Sequence, residues 1–227
     1  MDVTATERPT TYDPDLEPDH DADDADLRAV EGATGGASRG LSLLLAIGGA
    51  VGLVAAFTLT YDKFKILVDP SFEPSCDVNP LLSCGSVMAA DQAEVFGFPN
   101  PLLGIVGFTI VLTLGVLLVS GVRLPGWVWG GLQLGTILGI VFVHWLMFQS
   151  LYEIGKLCPW CIVVWTVMIP IFVYTTLRNL RAVAPRNGAV RFLSDWHALV
   201  LSLWYVAVVA LALIEFWDQW LAILGIA

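Results

Sequence analysis

The chain has 227 residues, of which 56% are hydrophobic and only 14% charged, and its formal net charge is −10. Soluble domains carry roughly 25% charged residues, so the composition excludes an ordinary soluble protein and indicates an integral membrane protein. The acidic excess is local, since 11 of the 21 acidic residues lie in residues 2–32. We interpret residues 1–38 as a disordered, solvated cytoplasmic tail, with an acidic docking segment as the alternative. Because this tail leads the chain, we expect no cleavable signal peptide.

Five apolar runs are long enough to cross a bilayer, which takes about 20 residues. They are Leu41–Leu59, Leu102–Ser120, Trp127–Phe148, Cys158–Leu177 and Ala198–Phe216. Glycines recur at four-residue spacing in the third run (Gly131, Gly135, Gly139) and in the first (Gly48, Gly52). Such stripes predict close helix packing. The predicted fold class is all-α integral membrane, a four-helix transmembrane bundle with a fifth transmembrane helix.

The basic residues predict the orientation. If the N-terminus is cytoplasmic, eight of the eleven Lys and Arg residues fall on the inside, and only Lys63, Lys65 and Lys156 fall outside. This bias predicts a cytoplasmic N-terminus and an extracytoplasmic C-terminus. All four cysteines then lie on the outer side of the membrane, where disulfides persist.

Cys158 and Cys161 form a Cys-x-x-Cys pair at the head of the fourth run. Residues three apart share a helix face, so these two sulfurs can meet. Pro159 suits a first helical turn, and free backbone N–H groups at a helix start favour a thiolate at Cys158. This pattern predicts a redox-active pair at the edge of the membrane.

The other two cysteines, Cys76 and Cys84, lie in residues 60–101, the longest connection between spans. The turn formers around them predict a mobile loop. A mobile cysteine pair facing an anchored one suits thiol–disulfide exchange. The alternatives are two static structural disulfides, a four-cysteine zinc site and inert buried thiols. We expect no metal, because the Cys-x7-Cys spacing falls outside the usual zinc pattern.

Electrons that reach a dithiol at the edge of a bundle can leave to a soluble thiol or to a molecule dissolved in lipid. A lipid-soluble quinone could enter an apolar, aromatic-lined pocket between the helices. Trp160 and Trp165 flank the pair, and Phe98 is a candidate pocket wall; simple packing or lipid contact is the alternative for each. No phosphate loop, Ser/His/Asp arrangement or nucleic-acid patch occurs in the sequence.

Four features in order resemble the vitamin K epoxide reductase family, in particular its bacterial-type homologues. They are the loop cysteines Cys76 and Cys84, the stretch Cys84-Gly85-Ser86-Val87-Met88, the stretch Phe96-Gly97-Phe98-Pro99-Asn100-Pro101-Leu102-Leu103-Gly104, and Cys158-Pro159-Trp160-Cys161. The resemblance implies a four-helix catalytic bundle around a quinone at residues 39–180, followed by a cytoplasmic loop and fifth helix at residues 181–227. It also implies a short lid over the quinone pocket at Ser86–Phe98.

The resemblance also implies residue roles. Cys158 and Cys161 would be the active-site pair, with Cys161 facing the quinone, and Cys76 and Cys84 would be the pair that takes electrons from a thioredoxin-like partner. Asn100 would donate a hydrogen bond to a quinone carbonyl; a turn or helix-cap role is its alternative. Trp165 stands where vertebrate members have tyrosine, and an indole N–H can donate but cannot accept.

The expected function is a plasma-membrane thiol–quinone oxidoreductase that drives disulfide formation in exported proteins, with a menaquinone or ubiquinone type acceptor. Many bacterial-type members continue into a fused thioredoxin-like domain, whereas this sequence ends at Ala227. We therefore expect a separate extracytoplasmic Dsb-type partner. The alternatives are a quinone-epoxide reductase of the same fold and a non-catalytic membrane protein with two structural disulfides.

Overall fold

A computed structural model describes residues 37–223 and 225, and the regular secondary structure of this part is helical. The helices are α1 (Arg39–Val68), α2 (Cys84–Ala89), α3 (Pro101–Val119), α4 (Gly126–Phe148), α5 (Pro159–Val183), α6 (Gly188–Asp195), α7 (His197–Glu215) and α8 (Trp217–Ile223). A 3₁₀ turn, Asp91–Glu94, follows α2, and a π-helical turn, Gln149–Ile154, extends α4. Apart from Ala37 and Ser38, the predicted tail lies outside the described residues.

Five of these elements are long and apolar enough to cross a membrane: α1, α3, α4 with its π-helical turn, α5, and α7. This confirms the predicted all-α membrane fold with five spans. Helix α1 continues well beyond Leu59, so the cysteine loop begins at Asp69 rather than at residue 60. The helix continues because the polar residues after Leu59 do not break it. It ends at Val68 because the next residue, Asp69, precedes Pro70 and therefore has an extended backbone.

The closest helix contact is between α1 and α3, and two glycines make it possible. A Cβ atom added at Gly115 of α3 would lie 2.3 Å from the backbone nitrogen of Ala46, and one added at Gly49 of α1 would lie 2.6 Å from that of Leu112. The predicted glycine stripe in α4 meets a neighbouring helix at Gly139, where an added Cβ would lie 2.6 Å from Cε of Met168 in α5, but not at its other two positions. Among the described residues, nothing lies within 4 Å of a Cβ built at Gly131 or Gly135.

Helix α7 has no buried residues, but Trp204, Val208 and Ala212 pack against the core, and two polar contacts also attach the helix to the bundle. The Trp204 indole donates to Nε2 of His144 at 3.1 Å, and Nδ1 of His144 lies 2.8 Å from the Ile140 carbonyl. The Tyr205 hydroxyl donates to the Thr166 carbonyl at 2.6 Å. Pro170, four residues after Thr166, has no N–H for that carbonyl, so the fifth span replaces the missing helical donor.

We expect Gly115→Ala to lower the free energy of unfolding by roughly 1–3 kcal/mol, the usual cost of overpacking, because its methyl group meets backbone that cannot rotate away. Thermal unfolding in detergent measures the change. Gly131→Ala is the matched control and should leave stability unchanged or raise it, since alanine is the better helix former. Equal unfolding midpoints for the two variants would contradict the assigned interface.

Candidate active site

A short backbone bridge joins the loop before α2 to the chain just before α5. The Leu157 N–H donates to the Leu81 carbonyl at 2.9 Å, and the Ser83 N–H donates to the Leu157 carbonyl, also at 2.9 Å. The Lys156 ammonium adds a hydrogen bond to the Pro80 carbonyl. The loop is therefore held against the start of α5 in this structure, although its turn-rich sequence predicts a mobile segment.

The bridge brings the four cysteines together at one end of the bundle. Cys76 and Cys84 form a disulfide with their Cα atoms 5.7 Å apart, and Cys158 and Cys161 are free thiols. The Sγ atom of Cys158 lies 3.3 Å from the Sγ atom of Cys84. Cys84 and Cys158 are fully buried, whereas Cys76 is 6% exposed. Of the two loop sulfurs, Cys84 is thus the one in contact with the α5 pair, and Cys76 is the more accessible.

Cys158 is the N-cap residue of α5, as the sequence predicts, and Pro159 occupies the first turn. Its sulfur accepts a hydrogen bond from the Cys161 N–H at 3.4 Å. Interaction with the Cys161 thiol, followed by the backbone N–H groups of Cys161 and Trp160, lowers the pKa of Cys158 despite its burial. A low thiol pKa favours both attack and release in disulfide exchange, so the first turn of α5 suits Cys158 to exchange disulfides with Cys84.

Asp77 lies over the loop disulfide. Its carboxylate is within 4.8 Å of both sulfurs, and its Oδ1 accepts the Gly85 N–H at 2.9 Å. In this structure the sulfurs of Cys76 and Cys84 are bonded to each other. They are therefore not thiolate ligands for a metal in this state.

A small cavity, lined mainly by apolar side chains, lies on the other side of the α5 pair. It is lined by Val87, Gln92, Ala93, Leu146, Gln149, Ser150, Ile154, Cys161 and Trp165. Three of these belong to the segment after Cys84, so that segment covers the cavity as a lid. Three others belong to the π-helical turn after α4, an irregularity often found at functional sites.

Lys63 and Asn100 hold the lid in place. The Lys63 ammonium donates to the Met88 carbonyl at 2.7 Å and pairs with Glu94 at 2.8 Å. The buried Asn100 amide donates to the Gln92 carbonyl at 2.7 Å, and its Oδ1 accepts the Val95 N–H at 3.2 Å. The described geometry of Asn100 is thus that of a lid brace, and Asn100 is not among the residues that line this cavity.

The predicted aromatic residues occupy different places. Trp165 is buried and lines the cavity, four residues after Cys161. Trp160 packs against the cluster of buried residues that contains Cys76, Cys84 and Cys158. Phe98 is 39% exposed and stacks on Phe96 with ring centroids 6.1 Å apart.

Gln149 is a cavity residue that the sequence reasoning missed. Its Oε1 is buried and has no hydrogen-bond partner among the described residues. An amide at the end of an otherwise apolar run was the available signal, because polar side chains in spans are costly and often functional. The lining of this small cavity beside Cys161, with its apolar side chains, an aromatic wall and one unsatisfied amide, matches the chemistry of a quinone ring and its carbonyl oxygens.

These features define a multi-span membrane protein with a redox-active cysteine centre. The family model described as "Vitamin K epoxide reductase family" matches residues 43–176, more than half of the chain. The chain therefore belongs to the vitamin K epoxide reductase family. Membership implies a membrane oxidoreductase with quinone-linked disulfide or epoxide chemistry. A search among curated proteins gave no match.

The lowered pKa of Cys158 leads to a pH prediction. With the loop disulfide intact, its thiolate absorbance should reach half its maximum at a pH below the ordinary cysteine value, so the thiolate is present at lower pH than usual. Cys161→Ala removes the interaction with the Cys161 thiol, which is the largest cause of the lowered pKa. The midpoint should then move upward, because burial of the Cys158 sulfur raises its pKa and is less well opposed. Cys161→Ser, which keeps a hydrogen-bonding side chain, should lie between the two. A Cys158→Ser protein supplies the baseline absorbance. Identical midpoints in the parent, Cys161→Ala and Cys161→Ser proteins would contradict this account of the thiolate.

Proposed function

We propose that the chain is a membrane thiol–quinone oxidoreductase that takes electrons from thiols outside the cytoplasm and so drives disulfide formation in exported proteins. The observation that carries the proposal is the 3.3 Å contact between the sulfurs of Cys84 and Cys158. This contact links the loop pair to Cys161, which lines an apolar cavity between helices. We propose that the sulfur atoms carry electrons from the cysteine loop to this cavity between the helices.

The relay consists of two thiol–disulfide exchanges. A reduced partner dithiol attacks the Cys76–Cys84 disulfide, and Cys76 is the partner-facing sulfur because it is the more exposed of the two. The released Cys84 sulfur then attacks, as a thiolate, Cys158 of an oxidised Cys158–Cys161 pair. That attack forms a Cys84–Cys158 bond and leaves the electron pair on Cys161.

Cys161, Trp165 and Gln149 are the residues we propose to face the quinone. A bound quinone supplies the oxidant, since it accepts two electrons and two protons. Trp165 contributes a flat apolar wall, and the Gln149 amide can donate to a carbonyl oxygen or accept from a hydroxyl. We propose that Asn100 acts through the lid, because both ends of its amide are already bonded there.

The partner we propose is a thioredoxin-like, Dsb-type protein on the extracytoplasmic side, where all four cysteines would lie. The charge bias supports this orientation, with a cytoplasmic N-terminus in the plasma membrane. Lys63 is one of the three basic residues that would lie outside the membrane and so counts against this orientation. It pairs with Glu94 and donates to the Met88 carbonyl, which gives it a structural reason to lie at the cysteine end. A menaquinone or a ubiquinone would both suit a lipid-side pocket.

The first test is the redox state of the four cysteines. Membranes containing the reduced protein are treated with quinone or left untreated, and free thiols are then alkylated and counted. Both pairs should become oxidised only with quinone, and Cys158→Ala or Cys161→Ala should abolish oxidation of a partner dithiol. If the number of free thiols is the same with and without quinone, the disulfides are static. Turnover of a quinone epoxide in place of disulfide formation would contradict the proposed reaction.

The Cys161→Ser variant should trap a disulfide between Cys84 and Cys158. Without the Cys161 thiol, the Cys158 thiolate can still attack the neighbouring Cys84 sulfur and release Cys76. Peptide mapping by mass spectrometry, after acid quenching, should find the Cys84–Cys158 link and a free Cys76. A predominant Cys76–Cys158 link would reverse the roles proposed for the two loop cysteines.

Gln149→Leu should weaken quinone binding roughly tenfold, the loss expected for about one hydrogen bond. Equilibrium binding of a short-chain quinone to the protein in detergent measures this without any turnover. Gln219→Leu is the matched control, since Gln219 lies on an exposed face of α8. Unchanged affinity in Gln149→Leu would remove Gln149 from the quinone site.

A further inference from the structure

Asp62 is a buried acid that the relay described above does not use. It lies near the cysteine end of α1, its side chain is 5% exposed, and its Oδ2 has no hydrogen-bond partner among the described residues. Burying a carboxylate without a partner is costly, and natural proteins avoid it unless the group has a task. A purely structural role would normally come with a hydrogen bond or a salt bridge.

The helix geometry directs Asp62 toward the cysteines. Leu59 and Ile66 lie three residues before it and four residues after it, so the three share one face of α1. Leu59 belongs to the buried cluster that contains Cys76, Cys84 and Cys158, and Ile66 packs against the same cluster. The Asp62 side chain, between these two contacts along the helix, therefore lies on the face of α1 that packs against the cysteine cluster.

Among the described residues, no cation pairs with Asp62. Its strongest charged neighbour is Asp77, whose carboxylate lies over the loop disulfide. The adjacent Lys63 is directed to the lid, where it binds Met88 and Glu94. Asp77 is exposed, so it offers a path between the buried carboxylate and solvent.

We propose that Asp62 is the proton acceptor for the loop cysteines, a residue that removes the thiol proton from Cys84 before it attacks Cys158. This inference rests on the proposed thiol–quinone function and concerns the internal exchange step. Asp77 exchanges the proton with water. The Oδ1 atom of Asp77 accepts the Gly85 N–H, whereas Oδ2 of Asp62 is buried without a hydrogen-bond partner among the described residues.

The proton of the Cys84 thiol passes to the Asp62 carboxylate, giving a Cys84 thiolate and a neutral Asp62. The thiolate attacks Cys158, so the Cys84–Cys158 bond forms, the Cys158–Cys161 bond breaks and its electron pair goes to Cys161. The Cys76 thiol then loses its proton to solvent, and its thiolate displaces Cys158 from Cys84 as a thiolate. The two released protons are available to Cys158 and Cys161, so the loop pair ends oxidised and the α5 pair reduced by two electrons.

The experiment starts from fully reduced protein in detergent, adds a short-chain quinone, and follows both disulfides separately by rapid alkylation and peptide mapping. At about pH 7, below the usual thiol pKa of about 8.5, Asp62→Asn should form the loop disulfide at least about tenfold more slowly. The Cys158–Cys161 disulfide should accumulate meanwhile. The difference in rate between Asp62→Asn and the parent should shrink above about pH 9, because the thiols then ionise without a base. The groups that titrate on this face are Asp62, Asp77, Cys76, Cys84, Cys158 and Cys161.

Three further variants separate proton transfer from a structural role. Asp62→Glu keeps the carboxyl and should retain most of the rate near pH 7. Asp62→Leu should be as slow as Asp62→Asn, yet unfold at the same or a higher temperature, because it removes an unpartnered buried acid. Glu73→Gln, an exposed acid in the same loop, is the matched control and should behave like the parent.

A second arm does not depend on quinone. In a background with Cys158→Ser and Cys161→Ser, oxidised glutathione closes the reduced loop pair, and Asp62→Asn should slow this reaction near pH 7 as well. If quinone forms no disulfide in the parent protein, the proposed function fails. If Asp62→Asn nevertheless slows formation of the loop disulfide with oxidised glutathione, the role of Asp62 stands. If Asp62→Asn matches the parent at every pH in both arms, or loses rate only in proportion to lost stability, the inference is overturned.

Discussion

The site depends on one constraint, the backbone bridge that fixes Leu157 between Leu81 and Ser83. A 3.3 Å sulfur–sulfur contact between residues 74 positions apart requires both chain segments to be placed to within a fraction of an ångström. Side-chain packing alone would let the turn-rich loop drift, whereas two backbone hydrogen bonds set its register. The π-helical turn before Leu157 contributes too, because Ser150 donates to the Lys156 carbonyl and accepts the Lys156 N–H through its own carbonyl.

The membrane spans supply the scaffold that carries this bridge, and they do so with few polar contacts. Lipid tails are as apolar as leucine side chains, so helices in a bilayer associate through close packing and isolated hydrogen bonds. Helices α1 and α3 use the first means, at Gly49 and Gly115. Helix α7 uses the second, through Tyr205 and Trp204. Because α1 carries both the α3 contact and the Leu59 contact with the cysteine cluster, its packing also positions the site.

Sequence reasoning succeeded where the signal is local and failed where it depends on which faces meet. Hydropathy revealed the five spans because each must be apolar over its own length, and Pro159 predicted the start of α5 because its effect is confined to one turn. The glycine stripe of α4 was right at Gly139, which packs on Met168, but not at Gly131 or Gly135, since spacing describes a surface but does not name its partner. Gln149 and Asp62 were missed for the same reason. Their significance lies in being buried without partners, which appears only once the helices are assembled.

The unsatisfied polar atoms of the described bundle differ in what they cost, and this difference argues for function. Five buried groups have a polar atom without a partner among the described residues: Asp62, Trp129, Gln149, Thr175 and Trp220. Trp129, Thr175 and Trp220 each leave a neutral N–H or O–H unpaired, and the Asp62 carboxylate is the one ionisable group of the five. Burying a charge costs far more than burying a neutral donor, so Asp62 demands the stronger explanation. Gln149 and Asp62 also flank the sulfur route, one in the cavity beyond Cys161 and the other on the face of α1 that packs against the cysteine cluster. By contrast, Asn100 and His144 have hydrogen-bond partners in this state. Gln149 and Asp62, two of these five groups, lie where protons must enter and leave if the sulfurs carry electrons.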